Sequence, residues 1–276
     1  MLVILTIVKK GQLFAMSTEL LSIYIPTFNR ADRLAELLYE LGSIRASSTH
    51  LSFEVVVSDN GSTDHTYDLA RAGIDQGIVD LYARKRTNLK ADANMLDSFR
   101  LTRGEFVWIL CDDDIPATNA VSNILEVIRT YRETISLIYL NRSIEKMDGQ
   151  PIKARVSECA QGITHSLNDI MRSPGVDLLT ASTLVLRRQH QVGYYANLYG
   201  TGFSVSPLTL ALDALTLGPA YLFAEPQVRY REGDKSEWIG NWPAIWKENV
   251  PKVFHTFMSD LKVDMSSMNW EQFRNC

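Results

Sequence analysis

Through its first half the chain alternates between two hydrophobic periods, and nothing else in it restricts the fold as strongly. Short apolar runs read as strands: LSIYIP (21–26), FEVVVS (53–58), GIVDLYAR (77–84), EFVWIL (105–110) and ISLIYL (135–140). Between them lie stretches with helical spacing. Leu34, Leu37, Leu38 and Leu41 make an i, i+3, i+4, i+7 stripe, and Val121, Ile124, Leu125 and Ile128 make another. Segments 62–73 and 91–102 read as two further helices. Asn29 and Ser62 are the expected N-caps, with Asp32 in a first turn and Gly73 as a stop. This order predicts an α/β fold, a mostly parallel, Rossmann-like sheet flanked by helices. In such sheets ligands settle outside the carboxyl ends of the strands.

Polar clusters fall at those ends: PTFNR after the first strand, SDNGSTD after the second, CDDD after the fourth. Asp112, Asp113 and Asp114 are the sharpest of them. Adjacent carboxylates repel, and beside an apolar strand they also lose hydration. Aspartate is common in turns and caps, and Asp114, just before Ile115-Pro116, can be no more than that. Three in a row exceed what a turn requires. A divalent cation removes the repulsion, and oxygen ligands of this kind suit Mg²⁺ or Mn²⁺. Such an ion often completes its shell with substrate phosphates. The cluster therefore predicts a nucleoside diphosphate held through a metal on Asp113, Asp112 and Asp114. SDNGSTD reads as a strand-to-helix loop turning at Gly61, with Asp59 offered to a base or ribose.

Composition excludes several classes. The chain has 276 residues, 46% of them hydrophobic, enough for one large core. The net charge of −4, without a basic block, speaks against a nucleic-acid partner. Cys111, Cys159 and Cys276 are odd in number and far apart, so they form no disulfide framework. That fits a reducing, cytoplasmic setting. No G-x-G-x-x-G follows a strand and no G-x-x-x-x-G-K-[ST] loop occurs, against a dehydrogenase or a P-loop enzyme. A nucleotidyltransferase is expected to carry a glycine-rich basic loop near the first strand, and PTFNRADR is not glycine-rich. The apolar start, MLVILTIV, is too short to span a bilayer, and its lysines follow it. Residues 1–15 are expected to be an upstream extension, with Met16 as the alternative start; a short membrane-surface anchor is the competing reading.

The stretches LSIYIPTFNRADRLAELLYEL, FEVVVSDNGSTDHT and RTNLKADANMLDSFRLTRGEFVWILCDDDIP resemble, in order and spacing, the successive motifs of family 2 glycosyltransferases with the GT-A fold. The resemblance spans about Leu21 to Leu140 and loosens beyond. Within the family the chain loosely resembles bacterial enzymes of surface-polysaccharide assembly, including abequosyltransferase-like ones. The resemblance implies sugar transfer with inversion from a nucleotide-sugar donor to a glycan or lipid-linked glycan. It implies that Pro26, Thr27, Asn29 and Arg30 lie against the nucleotide, and that Asp59 holds the base with Asn60 and Ser62 nearby. It gives Arg86, Asn88 and Lys90 contact roles in a segment closing over the nucleoside. CDDD falls at the family's DxD metal motif. Aligned on Ile115-Pro116, the first family aspartate becomes Cys111, Asp113 matches the residue bound most directly to metal, and Asp112 fills the middle position or takes over the ribose contact. Arg231 matches a basic residue that reaches the diphosphate, with Arg229 as second choice; a loop arginine paired with Glu232 or Asp234 is the plain alternative.

One family element is missing. The acidic pair that supplies the general base falls on Ser206 and Pro207, and neither can take a proton. Asp213, within the helix 207–218, reads as solvent-facing, and His165 and His190 as lone structural or exposed residues. A non-catalytic nucleotide-sugar-binding protein or partner subunit is therefore the alternative to an enzyme. The second half predicts a hairpin at Asp148-Gly149, a strand within 178–188, the helix 207–218 and a mostly helical tail with Trp238, Trp242 and Trp246. That tail reads as packed on the domain, or as a patch for a lipid-linked acceptor or peripheral membrane contact at the inner face. The expected division is 1–15 extension, 16–140 nucleotide-sugar-binding half, 141–237 acceptor-side half of the same domain, and 238–276 helical tail.

Overall fold

The computed structural model describes residues 4–9, 19–146, 148–188, 205–232 and 245–261. Met16, His190, Asp234, Trp238, Trp242, Cys276 and the side chain of Trp246 lie outside the described residues. The strands are β1 (Ile4–Lys9), β2 (Leu21–Thr27), β3 (Glu54–Asp59), β4 (Leu81–Lys85), β5 (Phe106–Ile109), β6 (Ile115–Pro116), β7 (Leu137–Tyr139), β8 (Arg142–Lys146), β9 (Pro151–Lys153), β10 (Gly162–Thr164), β11 (Leu184–Arg187), β12 (Ala220–Leu222) and β13 (Val228–Glu232). The helices are α1 (Ala31–Ser47), α2 (Thr66–Asp75), α3 (Lys90–Leu96), α4 (Ser98–Leu101), α5 (Ala120–Tyr131), α6 (Leu167–Arg172), α7 (Ser206–Leu217) and α8 (Val250–Leu261).

Nine strands form one sheet in the order β1-β4-β3-β2-β5-β11-β7-β12-β10. β2, β3, β4, β5, β7 and β12 run one way, while β1, β10 and β11 run against them. Successive residues of a strand face opposite sides of the sheet, and β2, β3, β5, β7 and β12 are buried almost throughout, so they read as continuous apolar runs. Ile23, Ile25, Val55, Val57, Phe106 and Trp108 pack on one side with the leucine stripe of α1 and the apolar face of α5. Tyr24, Val56, Val107 and Ile109 pack on the other with Met95, Phe99, Leu208, Leu212 and Phe254. A smaller sheet, β6-β13-β8-β9, stands beside the carboxyl end of β5. The chain passes from β2 to β3 and β4 on one side and to β5 on the other, and it is at such a reversal of strand order, beyond the carboxyl ends of β2 and β5, that sheets of this kind form a crevice.

Several sequence expectations shift. The helix read over 91–102 divides into α3 and α4 at Asp97, whose carboxylate lies 3.1 Å from the buried Lys85 ammonium. The strand read over 178–188 is only β11, preceded by 3₁₀ turns at Gly175–Leu179 and Ala181–Thr183. The hairpin forms as expected: β8 pairs antiparallel with β9, and Gly149 turns with φ +83°. Within the segment 1–15, Ile4–Lys9 pair antiparallel with β4 at the sheet edge. No helix among the described residues is long and apolar enough to cross a membrane.

At the amino ends of the central strands, Ser22 Oγ donates to Glu54 Oε2 at 2.6 Å, and Glu54 also accepts from the Arg103 amide at 2.7 Å. Gly104 N donates to Ser22 Oγ at 2.7 Å. A Cβ on Gly104 would lie 2.5 Å from Ser22 N and 2.8 Å from the Leu21 carbonyl carbon, both backbone atoms. Neither can yield without breaking β2–β5 pairing. Gly104→Ala is therefore expected to destabilise the fold by about 1–3 kcal/mol. Urea denaturation should show a lower midpoint at unchanged slope; an unchanged midpoint would mean that the strand ends are looser than described.

Candidate functional site

Thr27 ends β2, and the chain turns at Asn29, which adopts φ +52°. Asparagine tolerates that left-handed conformation because its short amide bonds locally. Asn29 is not the cap of α1: Arg30 occupies that position and makes no side-chain cap bond. Asn29 instead joins two loops. Its amide donates to Ser62 Oγ at 2.9 Å, and its Oδ1 accepts from the Thr63 amide at 2.7 Å. Ser62 is thus not the cap of α2, which begins at Thr66. Asp64 serves both helices, accepting from Ala31 N at 3.0 Å and Thr66 N at 3.1 Å. Although partial burial works against its charge, bonds from Thr66 and Ala31 lower its pKa.

The loops after β3 and β4 are tied to each other. Asp59 is fully buried; Oδ1 accepts from Ser62 N at 2.7 Å and Oδ2 from Tyr82 Oη at 2.6 Å. Its carboxylate therefore shapes the loop and presents no free edge. Asn60 N donates to Thr27 O at 2.9 Å. Its side chain reaches Asn88 Oδ1 at 2.8 Å, Lys90 O at 3.1 Å and Leu89 N at 3.0 Å. Lys90 has φ +72°, and Arg86, Asn88 and Lys90 are exposed along the rim.

On the other side of the crevice, Leu110 N donates to Tyr24 O at 2.9 Å and Cys111 N to Ser182 Oγ at 3.0 Å. The chain then turns, Asp114 N bonding Cys111 O at 3.2 Å, and β6 enters the smaller sheet against β13. Arg30 Nη1 meets Asp112 Oδ1 at 3.1 Å and Asp113 Oδ2 at 2.6 Å. Arg231, on β13, donates from Nε to Asp113 O at 2.8 Å and pairs with Glu36 on α1. Its partner is thus Glu36 and the aspartate backbone, not Glu232. Arg229 is more loosely placed, 3.7 Å from Glu40 and 3.9 Å from Glu145.

The electrostatics follow from burial. Burial, then repulsion from Asp113, pushes the Asp112 carboxyl up to about 7 against the pull of Arg30. Burial and Asp113 also push Asp114 up, opposed by Ser182, Arg142 and Arg231. Burial costs Arg30 charge, but Asp112 and Asp113 outweigh it and raise its pKa. The sequence pointed to a bound cation as relief for three carboxylates; Arg30, Arg142 and Arg231 already offset part of the repulsion. Arg142 was not legible as a site residue. It bonds Asp177 at 2.7 Å and lies 4.4 Å from the Tyr230 ring centre. Among the described residues, Arg142 Nη1, Arg231 Nη2, Asp112 Oδ2 and Asp114 Oδ1 are buried without hydrogen-bond partners.

Ligand atoms of Cys111, Asp113 and Asp114 lie within 4.8 Å of one another, a spacing that one ion can bridge. Asp112 is not among them; it shares Arg30 with Asp113. The donor set, with Asp114 Oδ1 buried and unpartnered, fits a divalent cation. A further carboxylate that sequence reasoning missed is Asp92, on α3. Its Oδ1 accepts from Ser206 N at 3.2 Å, at the start of α7. Burial raises its pKa against the bonds from Ser206. His165 is exposed, and Asp213, on α7, is half-buried.

Known proteins share this architecture. Solved structures of TarS from S. aureus superpose on it with a TM-score of 0.64 for the complex with UDP-GlcNAc, covering 91% of this chain and 69% of that one at 16% identity. The mannosyltransferase PcManGT from Pyrobaculum calidifontis, in complex with GDP-Man and Mn²⁺, gives 0.54, covering 88% and 65% at 17% identity. These likenesses identify the fold as GT-A. Abequosyltransferase RfbV of Salmonella typhimurium is 36% identical over 124 residues, 44% of this chain and 35% of that protein. The glucosyltransferase WfaP of Escherichia coli is 28% identical over 129 residues, 46% of this chain and 48% of that protein. The matches thus span less than half the length of these two curated relatives. The description Glycosyl transferase family 2 matches residues 22–189, more than half of the chain. The crevice between β2 and β5, its aspartate cluster and this match agree: the chain belongs to glycosyl transferase family 2.

Proposed function

We propose that the chain transfers a sugar, with inversion, from a nucleoside-diphosphate donor to a hydroxyl of a glycan or lipid-linked glycan, using Mg²⁺ or Mn²⁺. The observation that carries this reading is the convergence of Asp113 and Asp114 with Arg30 and Arg231 at the mouth of the β2–β5 crevice. When bound, the cation would offset the charge that develops on the departing diphosphate. Asp113 and Asp114 would hold it. Arg231, whose buried Nη2 has no partner among the described residues, would lend a fixed donor to phosphate oxygen, and Asp112 would stay with Arg30 or meet the ribose. Pro26, Thr27, Asn29 and the Asp59–Ser62 loop would form the nucleoside floor, with Arg86, Asn88 and Lys90 on its rim. The acceptor hydroxyl needs a proton acceptor, and Ser206 and Pro207 offer none. Asp92 stands against Ser206, is desolvated, and supplies a carboxyl at that helix start. We assign it the role of general base. A lipid-linked acceptor, like the diphosphoundecaprenol in the name of WfaP, would bring the protein to the inner membrane face.

The test is release of nucleoside diphosphate from a panel of UDP-, GDP-, CDP- and dTDP-sugars, with Mn²⁺ and undecaprenyl-diphosphate-linked glycans. Turnover of one donor with inverted anomeric configuration is expected. Binding without turnover of any donor would favour the non-catalytic alternative, which the empty positions at Ser206 and Pro207 first suggested.

The aspartates also set a pH dependence. Metal binds the carboxylates, so protons compete with it. Apparent Mn²⁺ affinity is expected to fall about tenfold per pH unit below about 7, where the ligand Asp114 titrates. For the metal-free protein the sign is opposite. Carboxyls with raised folded pKa hold protons that the unfolded chain has lost, so stability should fall as pH rises from about 4 to about 7. Calorimetric titration and thermal unfolding across that range check both; a flat affinity would remove the aspartates from the metal site.

A further inference from the structure

We infer that Cys111 is a metal ligand, and that this thiol, standing where the family pattern has an aspartate, tunes the site towards thiophilic divalent ions over Mg²⁺. The inference rests on the metal-dependent reading above and deepens it. Its basis is geometric. Cys111 Sγ lies within 4.8 Å of carboxylate oxygens of both Asp113 and Asp114, so one ion can reach all three. The bond from Cys111 N to Ser182 Oγ, at 3.0 Å, fixes the backbone from which the thiol projects. Asp114 is 2% exposed, and among the described residues its Oδ1 makes no hydrogen bond, a buried acceptor that a cation would satisfy. Cys111 is half-buried, in no disulfide, and packed against the core beneath the crevice.

The chemistry is a matter of ligand softness. Two carboxylates alone suit Mg²⁺, Mn²⁺ and Ca²⁺. Adding a sulfur ligand favours softer ions, in the order Mn²⁺, Co²⁺, Zn²⁺. On binding, a sulfur–metal bond forms and the thiol proton leaves to solvent; no oxidant or reductant takes part. The remaining positions stay open for diphosphate oxygens. The plain alternative is a small apolar residue that fills space under the aspartates and touches no ion.

The experiment uses the full chain, freed of metal by chelation, titrated with Co²⁺, Mn²⁺ and Mg²⁺ with and without UDP and GDP. Wild type should show a near-ultraviolet sulfur-to-cobalt charge-transfer band that saturates with one ion per chain. The band should vanish in Cys111→Ser and persist in Cys159→Ser. Cys111→Ser should weaken Co²⁺ binding about tenfold or more while leaving Mg²⁺ binding within about threefold. Cys111→Asp should retain metal and shift preference towards Mg²⁺, which guards against a folding defect in the serine variant. Saturable Co²⁺ binding without the band, or with the band intact in Cys111→Ser, would overturn the thiol ligand and leave the carboxylate site standing. Failure of every ion to bind folded wild type, with or without nucleotide, would overturn the metal reading itself and the inference with it.

Discussion

Asp113→Ala should weaken Mn²⁺-dependent nucleotide binding by roughly 100-fold or more without destabilising the protein. The two halves of that expectation have one cause. Asp113 is the most exposed of the three aspartates, its side chain 24% accessible against 4% for Asp112. It is therefore the carboxylate that an incoming ion meets. Its charge also raises the pKa of both Asp112 and Asp114. Removing it relieves two buried carboxyls and leaves Arg30 paired with Asp112 at 3.1 Å. The melting temperature of the metal-free variant should match or exceed wild type. A variant that binds nucleotide within about threefold of wild type would take Asp113 out of the site; one that melts much lower would mean that the aspartate cluster is structural.

Asp92→Asn should lower kcat by about 10²–10⁴ while leaving nucleotide affinity unchanged. Asparagine keeps the size and can still accept from Ser206 N, the bond measured at 3.2 Å. It cannot take a proton from an acceptor hydroxyl. The discriminating readout is the pH profile of kcat at saturating Mn²⁺: wild type should lose activity on the acid side as Asp92 protonates, and the variant should lack that limb. Equal loss in kcat and in nucleotide affinity would make Asp92 a packing residue between α3 and α7.

Most of the sheet was legible because its strands bury both faces and its helices one, so period alone separated them. The polar clusters were legible because carboxylates at strand ends are costly without a partner. What failed was long-range. Asn29 looked like a cap by type and position, but the Asp59–Ser62 loop captures it from 33 residues away. The helix over 91–102 kept its spacing, yet it divides at Asp97, which pairs with the buried Lys85 at the end of β4. Arg142 gave no local signal, since its place depends on β8 pairing with β13. Asp92 and Ser206 are separated by 114 residues, so no spacing argument could have joined them. The aspartates themselves were found by sequence, but their division of labour was not. Asp112 faces Arg30, while Cys111 turns towards Asp113 and Asp114.

In the function proposed above, the β2–β5 crevice holds a nucleoside diphosphate through a divalent ion. Isothermal calorimetry of the wild-type chain with UDP, GDP, CDP and dTDP, with and without Mn²⁺, tests it most directly. One nucleotide should bind saturably with Mn²⁺, and at least about tenfold more weakly without it. Well-folded protein that binds none of the four with the ion present would contradict the assignment of the site.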